Sequence, residues 1–242
     1  MQYWPPESIA DTMSTWHPGE DLINEQLEAF RGGFAAQMVH RIPFAIKFQT
    51  FVFLVWSGWR AGGLMLIGMA LYKWGVLTAE RSAAFYQRSA AIGFLIGLPP
   101  VIIGMIKHLE HNFSLEYSMF LGSQFNYWGS LAVAYGYISL IMLICKHNLL
   151  STITSRLAAV GRLALSNYLL QTVICTLLFY GHGLGLFGSV ERRLQLLTVF
   201  AIWTIQIVLS SIWLQYFRFG PAEWLWRSLT YMKLQPFRTD RH

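Results

Sequence analysis

Long apolar runs broken by short polar stretches dominate the chain. Five of them are long enough to cross a hydrocarbon layer about 30 Å thick, which takes about 20 mostly apolar residues. They lie near residues 48–72, 89–106, 125–145, 157–180 and 194–217. This pattern predicts an all-α fold, a polytopic transmembrane helical bundle of about five spans plus a C-terminal interfacial helix. Pro99-Pro100 removes two backbone donors from the middle of the second run. Proline is tolerated in a membrane helix when neighbours re-satisfy the backbone, so a kink is expected there.

Composition agrees with the pattern. Hydrophobic residues make up 55% of the 242, and charged residues only 12%, whereas soluble domains carry about 25% charged residues. A water-soluble globule, a disordered chain and a collagen-like chain are therefore excluded. The +6 formal charge is spread over 18 basic residues rather than gathered in one block, which excludes a nucleic-acid partner. Cys145 and Cys175 both lie in apolar runs and read as small buried fillers. No metal-ligand spacing occurs, and no metal or cofactor is expected.

Orientation follows from the distribution of Lys and Arg. Ten basic residues, from Lys73 to Arg241, fall after the first and third spans and in the C-terminal tail. Six fall on the other side, which places the C-terminus in the cytoplasm. Residues 1–47 carry six acidic residues and begin Met-Gln-Tyr-Trp-Pro-Pro, without the basic and apolar regions of a signal peptide. They read as an external polar segment, an inter-span loop of a longer protein. Residues 48–217 form the transmembrane domain and 218–242 a cytoplasmic interfacial helix and tail, with Gly220-Pro221 stopping one helix and starting the next. Glu223 in the first turn complements that helix's dipole, and Trp224, Trp226 and Tyr231 read as interfacial anchors.

Hydrocarbon offers no partner to a polar side chain, so the hydrophilic residues within spans are the informative ones. Arg60 sits midway along the first span, where an arginine costs about 2.5 to 3.5 kcal/mol on insertion scales. It should face a water-filled cavity, a carboxylate or carbonyls, unless the span is shifted and its side chain snorkels to an interface. In the fourth span Asn167 and Gln171 share a helix face, and Asn167 lies about 15 Å from the span's start. Arg162 points about 140° away from Asn167 at 100° per residue and can snorkel. Gln206 lies about 18 Å into the fifth span with Ser210 on the same face, which suggests an amide network of Asn167, Gln171 and Gln206. Such a network either holds helices together or lines a substrate path. Small residues four apart, Gly58 with Gly62, Gly93 with Gly97 and Ala132 with Gly136, suit close helix approach. His40, His108, His111 and His182 fall on or near the external side, His182 between two glycines; no spacing lifts them above loop histidines, and an acid-base role is the alternative.

Three separated motifs carry a family likeness: Gly161 to Gln171, Phe179 to Gly188, and Gly220 to Arg227. In order and spacing they resemble the C-terminal domain of the YeiB-like bacterial membrane proteins of unknown function, and Leu64 to Gly75 resembles that family's preceding span. The likeness covers roughly residues 40–235. The family is distantly similar to membrane acyltransferases, including the heparan glucosaminide acetyltransferase group, which pass an acyl group from a cytoplasmic donor to an acceptor across the bilayer. Full-length members have about twice as many spans and an N-terminal Arg-Gly motif. Phe30 to Ala35 looks like that motif, but Gln37, His40, Arg41 and Pro43 follow where an apolar helix is required, so it is set aside.

The resemblance implies an acyltransferase-like protein of the bacterial inner membrane. Arg60, Arg162, Asn167, Gln171, Gln206 and His182 are the candidate substrate contacts, and no catalytic residue is assigned. A transporter with a midplane site, favoured by Pro99-Pro100, and a structural membrane component are the alternatives. The expected partners are the lipid bilayer, a small-molecule or acyl-linked ligand, and a second copy of the chain.

Overall fold

The computed structural model describes residues 4–239; Arg241, counted above toward the cytoplasmic side, and the Met1-Gln2-Tyr3 start lie outside them. The described residues are helical, with no β-strand among them. The helices are α1 (Pro6–Trp16), α2 (Glu20–Arg31), α3 (Phe34–Lys47), α4 (Gly58–Lys73), α5 (Ala83–Glu110), α6 (Leu115–Tyr117), α7 (Ser123–Lys146), α8 (Ser151–Arg162), α9 (Ala164–Phe179), α10 (Arg192–Tyr216) and α11 (Pro221–Thr230). Two π-helical stretches, Phe48–Ser57 and Ser118–Gly122, precede α4 and α7. The chain divides into two compact units, residues 1–22 with 48–149, and residues 23–47 with 150–242.

Four helical stretches are long and apolar enough to cross a membrane: Phe34–Lys73, Ala83–Glu110, Leu115–Lys146 and Arg192–Tyr216. A fifth arises if the bent pair α8 and α9 counts as one span. The exposed surface fits this reading. Leu95, Met65 and Ile96 are 74%, 70% and 64% exposed on these helices, a density of bare apolar side chains that water does not tolerate. The chain is thus a multi-pass helical membrane protein.

In the first unit, α5 and α7 pack along a seam of small residues. A Cβ placed on Gly93 would lie 2.7 Å from the Gly136 Cα and 2.8 Å from the Ala132 carbonyl oxygen. On Gly97 it would lie 2.6 Å from the Val133 nitrogen. Only glycine lets the backbones meet this closely, and in lipid such van der Waals contact is a principal force between helices. Of the three small-residue pairs in the sequence, Gly93/Gly97 and Ala132/Gly136 face each other. Gly62 has nothing within 4 Å of the Cβ it would carry, so the pair with Gly58 makes no such contact. Helix α5 runs unbroken from Ala83 to Glu110 through Pro99 and Pro100.

In the second unit, the expected fourth span is two helices, not one. Helices α8 and α9 meet at 79° across Leu163, whose φ of −108° and ψ of 26° leave the α-helical region. Arg162 and Asn167 therefore sit on different helices, and the 140° relation drawn on a single helix does not hold.

The seam yields a direct test. Gly93→Leu drives a side chain into the α7 backbone, which has nowhere to move. The variant is expected to lose about 1 to 3 kcal/mol of stability, read as a lower midpoint of thermal unfolding in detergent by tryptophan fluorescence. Gly62→Leu, with open space around it, should unfold like the parent.

Candidate functional site

The α8–α9 break exposes the last carbonyls of one helix and the first amides of the next, and specific side chains take them up. The Asn167 side-chain amide donates to the Val160 carbonyl at 3.2 Å, closing the end of α8, and to Ser210 Oγ on α10 at 3.0 Å. Gln206, 5% exposed, donates to the Asn167 backbone carbonyl at 2.8 Å. At the start of α9, Glu223 on α11 accepts from the Ser166 backbone N–H at 3.0 Å and from the Ser166 hydroxyl. The Ala222 N–H donates back to Ser166 Oγ at 3.0 Å. Glu223 thus caps a helix distant in sequence in addition to standing in the first turn of its own. The apolar cavity beside this junction, about 430 Å³, is lined by Asn167, Ser210, Trp213 and Pro221 among others.

Gln171 lies outside this network. It lines a second cavity of about 550 Å³ with Cys175, Tyr180, Phe187 and Gln195. The three-amide network expected from the sequence is therefore corrected to Asn167, Gln206 and Ser210, because Gln171, one turn further along α9, lines the cavity beside Gln195, Thr198 and Ile202 of α10 instead of meeting Gln206. Arg162, in the last turn of α8, donates to the Arg218 carbonyl at 3.4 Å.

His182 stands in the Phe179–Gly188 loop against the segment between α2 and α3. Its Nδ1 lies 3.2 Å from Gln37 Oε1, and Gln37 is fully buried. The Gln37 amide nitrogen donates to the Phe30 carbonyl at 3.2 Å and the Gly32 carbonyl at 2.9 Å. Both amide protons are committed, so Oε1 is the acceptor and His182 Nδ1 carries the hydrogen. In the neutral ring Nε2 is then a free lone pair at an exposed edge. The Gly181 N–H donates to Phe30 O at 3.0 Å, and Arg31 Nε to Phe187 O at 2.7 Å. A side chain at 181 would collide with the Arg31 and Gly32 backbone, which is why glycine precedes the histidine. Phe34 and Tyr180 stand edge-on to the imidazole at 6.0 and 5.9 Å, and Arg41 lies over the Tyr180 ring at 5.4 Å.

In the first unit, the Arg60 guanidinium lies 4.1 Å from the centre of the Tyr127 ring. Its Nη2 donates to Tyr127 O and Ser130 Oγ, each at 3.3 Å. It lines a cavity of about 720 Å³ shared with His108, Gln124, Asn126, Trp16 and Trp56. His108 Nδ1 pairs with Ser118 Oγ at 3.1 Å. No group of three or more His, Cys, Asp or Glu side chains among the described residues is arranged to hold a metal.

The family described as "Protein of unknown function (DUF418)" matches residues 71–233, well over half of the chain. The chain belongs to this family. It is 39% identical over 183 residues to "Uncharacterized protein YeiB" of Escherichia coli K12, covering 72% of this chain and 44% of the relative. It is 40% identical over 174 residues to "Uncharacterized protein YxaH" of Bacillus subtilis 168, covering 72% and 40%. An "Uncharacterized 39.9 kDa protein in amylase 3'region" of Bacillus acidopullulyticus is 32% identical over 133 residues, covering 55% and 37%. The chain spans less than half the length of each of these relatives. No solved structure matches.

The DUF418 match contains Asn167, His182, Gln206 and Glu223, whereas Arg60 and Gln37 lie before it. Two residues central to the geometry were missed by sequence reasoning. Gln37 was passed over as a polar residue of a segment set aside, although a glutamine beside Arg31-Gly32-Gly33 was a signal for a buried amide. Glu223 was assigned only to its own helix.

Removing the Glu223 carboxylate leaves the Ser166 N–H without its partner. Glu223→Ala is expected to destabilise the second unit by about 1 to 3 kcal/mol. Faster hydrogen exchange should be confined to the first turn of α9 and to α11, measured by mass spectrometry on the detergent-solubilised protein.

Proposed function

We propose that this DUF418 protein is an acyltransferase-like enzyme of the bacterial cytoplasmic membrane, its C-terminal tail in the cytoplasm, with His182 as the base. The observation that carries this reading is the Gln37–His182 hydrogen bond, in which a buried amide with both protons committed fixes the imidazole tautomer and leaves Nε2 as a proton acceptor. Catalytic histidines are held this way, the orienting partner on one nitrogen and the substrate on the other. In the proposed step, Nε2 takes the proton of an acceptor hydroxyl as that oxygen bonds to the acyl carbonyl carbon. The bond from that carbon to the donor's leaving group then breaks, and the imidazolium returns the proton to the leaving group. Arg31 and Arg41 supply positive charge around the loop, which favours the anionic intermediate. The largely apolar cavity lined by Gln171, Cys175 and Phe187 offers room for an acyl chain. The resemblance to membrane acyltransferases points the same way.

A second reading, solute transport, is favoured by the 79° break between α8 and α9. Discontinuous helices with polar side chains at the break are how many transporters build a substrate site. Pro99-Pro100 no longer supports it, since α5 is continuous there.

One experiment separates the readings. The chain, and in parallel the full-length Escherichia coli relative, is reconstituted in vesicles with a radiolabelled acyl thioester and a hydroxyl-bearing acceptor. Covalent transfer is expected, and His182→Gln is expected to reduce its rate by about 10² to 10⁴, the usual contribution of a positioned base. Gln37→Leu, which frees the tautomer, should lower kcat with little change in KM. Label accumulating inside vesicles without covalent transfer would overturn the enzyme reading in favour of transport.

A further inference from the structure

The first unit holds an arginine that the acyl-transfer reading does not use. Arg60 belongs to the stretch Phe34–Lys73, apolar enough to span a membrane, and its side chain is half-buried. Among the described residues no carboxylate pairs with it, and the one ion pair there joins Lys107 and Glu110. Both of its hydrogen bonds leave from Nη2 and end on neutral oxygens, and one face is covered by Tyr127. A guanidinium carries five donors in a planar fork, so the Nε and Nη1 donors remain for another acceptor.

What surrounds the arginine states the kind of acceptor. The cavity of about 720 Å³ is larger than a water-filled notch and combines hydrogen-bonding side chains, Gln124, Asn126 and Ser123, with the rings of Trp16 and Trp56. The Trp16 indole N–H is held by the Phe113 carbonyl at 3.0 Å, which fixes that ring in the wall. His108, held through Nδ1 by Ser118, adds a further ring nitrogen, Nε2, to the same cavity. A cation without a counter-ion, neutral donors beside it and apolar rings around them match an anionic group joined to an apolar body. Carboxylates of the protein are absent from the lining, so nothing there repels an anion.

We propose that this cavity is a binding site for a phosphate group, seated on the free edge of Arg60 and flanked by Gln124 and Asn126, with any apolar portion against Trp16 and Trp56. Phosphate suits the fork of a guanidinium, which meets two of its oxygens at once. The source is either a phospholipid headgroup or a free phosphate compound. This site is independent of His182, and acyl transfer can fail while phosphate binding holds.

The test uses the purified chain in neutral detergent and native mass spectrometry. Phosphatidylglycerol, inorganic phosphate and the phosphate-free lipid diacylglycerol are titrated separately. Retention of phosphatidylglycerol alone assigns a lipid headgroup with its tails; retention of inorganic phosphate as well assigns the phosphate itself. Arg60→Gln should weaken either at least tenfold, and Arg60→Lys, which keeps the charge but loses the fork, should weaken it less. A photoactivatable phosphatidylglycerol, or for inorganic phosphate its protection of Trp56 from oxidative labelling, gives a readout on the parent chain should a variant fail to fold. Binding of diacylglycerol, which lacks the phosphate, equal to that of phosphatidylglycerol, unchanged binding by a folded Arg60→Gln variant, no binding of any probe, or labelling that avoids Trp16 and Trp56 would overturn the proposal.

Discussion

The constraint on which this structure depends is that hydrocarbon accepts no hydrogen bonds. Each backbone amide or carbonyl at membrane depth, and each polar side chain there, must be satisfied by the protein itself. The two units meet this demand differently. In the first, α5 runs uninterrupted through Pro99-Pro100, and α7 lies against it through glycine. In the second, the helix is broken at Leu163, and a set of side chains from three elements restores what the break removes.

That second solution explains why polar residues gather where they do. Asn167 closes α8 and reaches α10, Gln206 on α10 reaches back to the Asn167 backbone, and Glu223 on α11 caps α9. A loop that carries a histidine between glycines is fixed in the same manner, by a buried amide that exhausts its own donors on the carbonyls beside it. Polar groups in this protein are thus mostly structural partners first, and the exceptions are informative. His182 Nε2 and the free edge of Arg60 are two of the places among the described residues where hydrogen-bonding capacity is left over beside a loop or cavity.

The helical membrane architecture was legible because it rests on length and apolarity, which a sequence displays openly. The glycines of α5 and α7 were legible as pairs, but the identical spacing of Gly58 and Gly62 carried no contact, since spacing says nothing about which face a helix turns to a neighbour. The break at Leu163 was hidden because residues 157–180 read as one apolar run, with no proline to mark an interruption. The cap on the helix that follows it comes from Glu223, 57 positions away from Ser166. Gln37 was hidden for the same reason: its burial is decided by the Phe179–Gly188 loop, 145 positions on. Local pattern predicts elements, while satisfaction of stranded donors is a long-range property.

The glycine seam has a mechanical consequence. Where side chains separate two helices, rotamer changes let them slip; at Gly93 and Gly97 the α7 backbone sits directly on α5, with Val133 already against Gly97, and no side-chain layer is left there to slide on. The pair therefore behaves as a single stiff stave. In a thinner or thicker bilayer it has to adjust by tilting as one body rather than by shear between its members.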